Sequence, residues 1–309
     1  MNYLSKTSYL FVLLLAACFP KEDAVEPAPR VGKSVFVYNG PTNNKDSVTF
    51  YSLKSGEIIS QVSPMLWDFY VDEEVVRLNY FRSMRVAKFD DTWDKLEDTV
   101  GLKFRYLTYD NVGFESEWEL LEGQIYVVDY GLDKQYNPIG LTSVRFERTT
   151  DGMKIWHNPI GSDYPVFEEI KEASFYYNLR EKNAIDLPTE KEYDLAFGKY
   201  TDLVTVDNIT QAYSVYGAIL GDVIGFELAQ PYEDVTEFST DMIDLSKDII
   251  GWDWKNFNRT VGGSGVYEIL GNRTYVVNTG GSSKYKLRFV NFYNDQGQSG
   301  HPTFEWELL

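Results

Sequence analysis

Four short blocks occur twice in this chain, in the same order, and that repetition points to two related folding units. Block one is Val48-Thr49-Phe50-Tyr51-Ser52-Leu53-Lys54, matched by Ser174-Phe175-Tyr176-Tyr177-Asn178-Leu179-Arg180. Block two is Trp67-Asp68-Phe69-Tyr70, matched by Tyr193-Asp194-Leu195-Ala196-Phe197. The step from Tyr51 to Trp67 equals the step from Tyr177 to Tyr193. Block three is Tyr126-Val127-Val128-Asp129-Tyr130-Gly131, matched by Tyr275-Val276-Val277-Asn278-Thr279-Gly280. Block four is Ser143-Val144-Arg145-Phe146-Glu147, matched by Lys286-Leu287-Arg288-Phe289-Val290. Glu117-Trp118-Glu119-Leu120-Leu121 also returns at Glu305-Trp306-Glu307-Leu308-Leu309, but out of order, and reads as coincidence.

The blocks have strand character. Phe175, Tyr177 and Leu179 alternate, as do Leu287 and Phe289 between Lys286 and Arg288. In the last run, alternation predicts Phe304, Trp306 and Leu308 on a buried face and the glutamates between them in water. Turn signals separate the runs, among them Lys54-Ser55-Gly56-Glu57, Asp151-Gly152 and Asn294-Asp295-Gln296-Gly297. Helical periodicity is scarce; the best candidate is Val235 to Ser246, where Val235, Phe238, Met242 and Leu245 sit three or four apart. Aromatic residues make up 16% of the chain, which suits ring packing across sheets. The expected fold is all-β: two related antiparallel β-sandwich-like domains with few short helices. The boundary is expected in the loop-like stretch 161–165, giving an N-terminal β module at 33–165 and a C-terminal β domain at 166–309. Asp68 and Asp194 each follow an aromatic residue in block two and read as acceptors for turn backbone.

The chain has 309 residues and a net charge of −18. Such a field repels phosphate backbones and argues against nucleic acid as a partner. An apolar run from Tyr9 to Leu15 leads into Ala16-Ala17-Cys18, the one cysteine of the sequence. The run is too short for a mature membrane helix and has the layout of a signal-peptide core. Its end resembles a bacterial lipobox. Cleavage is then expected before Cys18, with residues 1–17 as signal peptide, lipid on the Cys18 thiol, and a proline-rich acidic tether at 18–32. The Lys21-Glu22-Asp23 run resembles a surface-export signal of Gram-negative lipoproteins. The expected location is the outer membrane, lipid-anchored and exposed at the cell surface. With a single cysteine there is no internal disulfide.

Lys286-Leu287-Arg288-Phe289-Val290-Asn291-Phe292-Tyr293-Asn294-Asp295-Gln296-Gly297, together with Gly300-His301-Pro302-Thr303-Phe304-Glu305, resembles the HmuY family. The match is strongest over 171–309. Trp67-Asp68-Phe69-Tyr70 and Arg77-Leu78-Asn79 look like the added module of longer relatives. The resemblance implies a lipid-anchored, all-β surface protein that binds haem or a related porphyrin and hands it to a TonB-dependent receptor. Haem-binding members of the family use paired His or paired Met. Haem iron takes His, Met, Cys or Tyr. Here the two histidines, His157 and His301, read as exposed turn residues. Tyr213, Tyr216 and Met242 are the candidate ligand-binding residues, beside an apolar run from Ile209 to Gln230. A buried strand pair with a Gly-rich turn explains that run equally well.

Catalytic readings find no support in motif spacing. Gly262-Gly263-Ser264-Gly265 lacks a phosphate-binding lysine, and no metal-ligand spacing occurs. The expectation is a binding protein and not an enzyme. The alternative to haem is a surface binding or adhesion module for a glycan or protein on the same fold, with exposed Tyr and Trp stacking on sugar rings.

Overall fold

Side-chain alternation about one strand decides the architecture. Val48 and Phe50 point one way, Tyr51 and Leu53 the other, and all four are buried. A strand apolar on both faces belongs in a sheet covered on both sides. The computed structural model describes residues 46–73, 75–106, 120–133, 135, 137–206, 208–236, 247–258, 265–280 and 283–309. Cys18, the tether, Met242 and the run Gly262–Gly263–Ser264 lie outside them.

Four main antiparallel sheets form two sandwiches. One inner sheet has the order β13 (Ile209–Leu220), β12 (Leu195–Val206), β1 (Val48–Ser52), β2 (Glu57–Val62). The other has β11 (Asn183–Ile185), β10 (Phe175–Asn178), β3 (Phe69–Val71), β4 (Val76–Leu78). The first is covered by β14 (Ile224–Leu228), β17 (Thr274–Asn278), β18 (Lys284–Tyr293) and β19 (Ser299–Leu308). The second is covered by β5 (Arg85–Phe89), β6 (Ile125–Asp129), β7 (Leu141–Thr149), β8 (Gly152–Asn158) and β9 (Val166–Ile170). A small hairpin, β15 (Lys255–Asn258) and β16 (Val266–Ile269), stands apart. The fold is all-β; the described residues include 3-10 turns at Pro64–Leu66, Trp93–Lys95 and Tyr232–Asp234 and no α-helix. No helix of the described residues is long and apolar enough to cross a membrane. Of the expected helical stretch, Val235 is buried and residues 237–246 lie outside the description.

Three apolar layers follow. Tyr51, Leu195, Phe197, Tyr275, Leu287 and Phe289 lie in one sandwich. Their block partners Tyr177, Phe69, Val71, Tyr126, Val144 and Phe146 lie in the other. The registers match: Tyr275 pairs with Leu287, and Tyr126 with Val144. A third layer fills the space between the two inner sheets with Phe50, Trp67, Tyr70, Tyr176, Tyr193 and Ala196. Its rings meet at 4.8 Å for Phe50–Tyr193 and 5.6 Å for Trp67–Tyr176. Such contacts add about 0.5–1.5 kcal/mol each beyond area burial.

The blocks pair across the halves. Block one of the first half joins block two of the second through Tyr51↔Leu195. Block one of the second half joins block two of the first through Tyr177↔Phe69. Strand pairing therefore crosses the 161–165 stretch in both directions. Each sandwich holds one block-one strand from the other half of the chain. The block-two aspartates lock the exchange, as acceptors for backbone, in keeping with the structural role read from the sequence. Asp194 Oδ2 accepts the Leu53 N–H at 2.6 Å, and Asp68 Oδ2 accepts the Leu179 N–H at 2.8 Å. Asp68 also pairs with the buried Arg82 guanidinium, whose Nη2 donates to the Tyr130 carbonyl at 2.8 Å.

The last strand departs from the simple alternation. Phe304 and Trp306 are buried as expected, but Leu308 is 61% exposed at the strand end. Glu305 is buried, not in water, because the Tyr232–Val235 segment covers that face. Arg288 bridges Glu305 at 2.9 Å and Glu233 at 2.7 Å, which satisfies the buried carboxylate.

Candidate functional site

The second half carries a feature that the described residues of the first half lack. β12 and β13 each run 12 residues, whereas the matching β3 and β4 run 3. Only Leu195 to Phe197 of β12 also pair with β1. Among the described residues, the hairpin from Gly198↔Gly217 outward is a two-stranded arm, with Asn208 near its tip in the left-handed region (φ 64°).

The arm is clasped at its root. A Cβ at Gly217 would lie 2.2 Å from the Gly251 carbonyl oxygen, so the backbones meet only because residue 217 is glycine. The Ala218 N–H donates to that same carbonyl at 2.9 Å. Lys255 Nζ donates to the Tyr216 carbonyl at 2.6 Å and the Trp252 carbonyl at 2.9 Å. It also lies over the Trp254 ring at 4.1 Å and the Phe292 ring at 4.8 Å. Burial pulls the Lys255 ammonium down to about 7, opposed by Asp253. Trp252 Nε1 donates to Asp202 Oδ2 at 2.5 Å, tying β12 to the same segment.

Beyond the clasp the arm exposes apolar side chains: Ile209 at 59% and Tyr213 at 47%. On the small hairpin, Phe257 is 52% exposed and begins a ring series inward, to Tyr267 at 4.9 Å, then Phe292 at 5.0 Å. Apolar and aromatic groups of this kind suit a flat, greasy ligand or a protein surface.

The residues expected to bind a ligand are not brought together. Tyr213 and Tyr216 sit on opposite faces of β13, since an odd step separates them. The Tyr213 hydroxyl donates to Gln211 Oε1 at 3.4 Å, on the exposed side. Tyr216 is buried against Phe292 at 5.7 Å. Met242 lies outside the described residues.

Neither histidine is an exposed turn residue. β8 runs through His157, which is buried with Nε2 2.7 Å from Glu168 Oε2. β19 begins before His301, which is buried 3.5 Å from Asn294 Nδ2. They belong to different sheets. Among the described residues no group of three or more His, Cys, Asp or Glu is placed to hold a metal ion. The clasp was missed from sequence, although a lysine directly after Trp252-Asp253-Trp254 is an available signal for a cation lying on rings.

The family model described as HmuY protein matches residues 170–306, the stretch that contains the arm and its clasp. No curated protein matches the chain. Among solved structures, the chain is similar to Apo PinO from Porphyromonas gingivitis, at 10% identity and TM-score 0.27, over 90% of this chain and 98% of that one. It is similar to a Bacteroides vulgatus protein named as HmuY-like and heme binding, at 10% identity and TM-score 0.23, over 85% and 86%. A Bacteroides fragilis protein named as a lipoprotein has 11% identity and TM-score 0.21, over 90% and 97%.

Proposed function

Residues 170–306 belong to the HmuY family, and from that premise we propose that the chain is a bacterial surface lipoprotein that binds haem or a related porphyrin along the β12–β13 arm. The observation that carries this reading is the arm itself. It lies inside the family segment and exposes Ile209 and Tyr213, and the same segment exposes Phe257 at the start of a run of rings. A porphyrin is flat and apolar, and such side chains would cover its faces. The Tyr213 phenol is the exposed candidate for an iron ligand on that strand. Lipid on Cys18 would hold the protein at the outer membrane, and a TonB-dependent receptor would accept the ligand. The chemistry is capture and release, with the porphyrin itself passed on unchanged.

Titration of hemin into the purified mature protein tests the reading. A saturable Soret shift at micromolar protein, weakened by Tyr213→Phe, is expected. No shift removes the haem role. The second reading, a haem-independent adhesion module for glycan or protein, is favoured by the separation of Tyr213 from Tyr216 and of His157 from His301. It is supported if the protein is retained on a glycan array without binding hemin.

A further inference from the structure

Sheet edges in this chain follow one rule, and the arm breaks it. An edge strand shows a row of backbone N–H and C=O groups to solvent, and proteins blunt such rows by keeping the strand short or by placing charge or proline on it. In the four main sheets, the edge strands β4 and β11 have 3 residues each. The longer edges carry charge: Glu57 on β2, Lys88 on β5, Glu169 on β9, Glu227 on β14 and Glu307 on β19. β13 is also an edge, of 12 residues, yet Ile209 to Leu220 holds no charged residue and no proline.

Strand parity shows which backbone groups point outward. The Ala218 and Leu220 N–H groups face away from β12 and donate to the Gly251 and Lys247 carbonyls at 2.9 and 2.7 Å. The Tyr216 carbonyl faces the same way and accepts from Lys255 Nζ. Along an antiparallel strand the outward groups recur at every second residue. Thr210, Ala212 and Ser214 therefore turn their N–H and C=O groups to that same side. The clasp covers the edge at the root of the arm. From Ile209 to Ser214 every residue is exposed, and among the described residues no strand pairs with that side. A two-stranded ribbon is only marginally stable alone in water, and further strands stabilise it.

We propose that the open edge of β13 pairs with β13 of a second copy of this chain, antiparallel and about a two-fold axis at Ala212. That register sets Ala212 opposite Ala212 of the second copy and Thr210 opposite Ser214 of the second copy, so the outward N–H and C=O groups of all three residues find partners. The pairs between them bring Ile209 against Val215 and Gln211 against Tyr213, which takes exposed apolar surface of Ile209 and Tyr213 out of water. The two arms become one four-stranded ribbon. A second copy is the occupant that the strand's chemistry favours. A single antiparallel strand can match itself under two-fold symmetry. Two chains of net charge −18 repel one another, and an uncharged strand is where they can approach. The contact uses one short segment per copy, less than the ~800 Å2 per partner of a stable interface, so the dimer is weak and dissociates on dilution. Pairing uses the edge of β13 and the porphyrin reading uses its Tyr213 face, so each stands or falls separately.

Sedimentation velocity of the mature chain carrying Cys18→Ser, without hemin, tests the proposal. A monomer–dimer equilibrium across micromolar concentrations is expected. Ala212→Lys sets two ammonium groups against each other at the axis. Ala212→Pro removes an outward N–H, a change that an edge strand tolerates. Each should raise the dimer Kd by about tenfold or more. Ile58→Lys, at an exposed position on β2 at the far edge of the same sheet, should leave it unchanged. In the Cys18→Ser background, Ala212→Cys should give a covalent dimer with a short bis-maleimide, and Ile58→Cys should not. A chain that is monomeric at every concentration overturns the proposal. So does a dimer that either Ala212 variant keeps at full strength, or a crosslink yield from Ala212→Cys no higher than from Ile58→Cys. If Ala212→Pro loses its β-sheet spectrum, Ala212→Lys and the crosslink decide between these results.

Discussion

Asp194 and Asp68 are reciprocal: each accepts a backbone N–H from the block-one strand of the opposite half, Leu53 at 2.6 Å and Leu179 at 2.8 Å. Their surroundings are not equal. Asp68 carries the buried Arg82 as a counter-ion, and Asp194 has no salt bridge among the described residues. Burial lowers the Arg82 guanidinium from its ordinary value, and Asp68 opposes that. Removing Asp68 therefore strands a buried charge, whereas removing Asp194 strands a backbone N–H. Asp68→Ala should cost ~3–5 kcal/mol. Asp194→Ala should cost ~1–3 kcal/mol. Urea unfolding of the mature protein lacking the Cys18 lipid measures both, and equal losses would contradict the assignment.

Asp194 also has a pH signature. Burial raises its carboxyl above the ordinary 3.8, outweighing the hydrogen bond from Leu53 that lowers it. A native state that holds the proton more tightly is favoured below the unfolded value and loses that advantage as pH rises through the folded value. Asp194→Asn should compare worst with wild type at about pH 3.5 and improve toward neutrality. A difference that is constant across this range would contradict the shift.

Lys255 behaves in the opposite sense. Its folded value of about 7 lies below the ordinary 10.5, so between them the unfolded chain binds the extra proton. Stability from this group is present above 10.5 and is lost as pH falls toward 7. Wild type should therefore gain on Lys255→Met as pH rises from about 7 to about 10. Parallel stability curves would show that the amine at the arm root is not desolvated.

Gly217 is the hinge of the clasp. Gly217→Ala puts a methyl group within 2.2 Å of the Gly251 carbonyl oxygen if nothing moves. The expected outcome is a loss of ~1–3 kcal/mol and faster proteolysis within 198–217, with the far sandwich unaffected. Unchanged proteolysis would mean that the arm does not depend on this contact.

Much of this fold is legible in the sequence, for an identifiable reason. Tyr51 and Leu53 alternate like Tyr177 and Leu179, and Tyr126-Val127-Val128 repeats as Tyr275-Val276-Val277; strand period and core face follow from such words. The exchange is not legible, for the same reason. Tyr51-Ser52-Leu53 can pair with Phe69 or with Leu195, because both strands follow an aromatic-Asp pair. Local pattern cannot choose between them. Ring contacts such as Phe50–Tyr176, which join the two inner sheets, occur only once the strands are in place. The histidines are strand residues because β8 continues to Asn158, past His157, and β19 begins at Ser299, ahead of the Gly300-His301-Pro302 turn signal. The ligand residues on β13 were read from one apolar run, and strand geometry divides that run between two faces.

The direct measurement is a cut in the exposed loop between the halves, at Asp163–Tyr164, using an introduced protease site. If each sandwich borrows a strand from the other half, the two fragments stay together at native mass through gel filtration and part only in denaturant. Fragments that separate under native conditions, each keeping its β-sheet spectrum, would contradict the exchange.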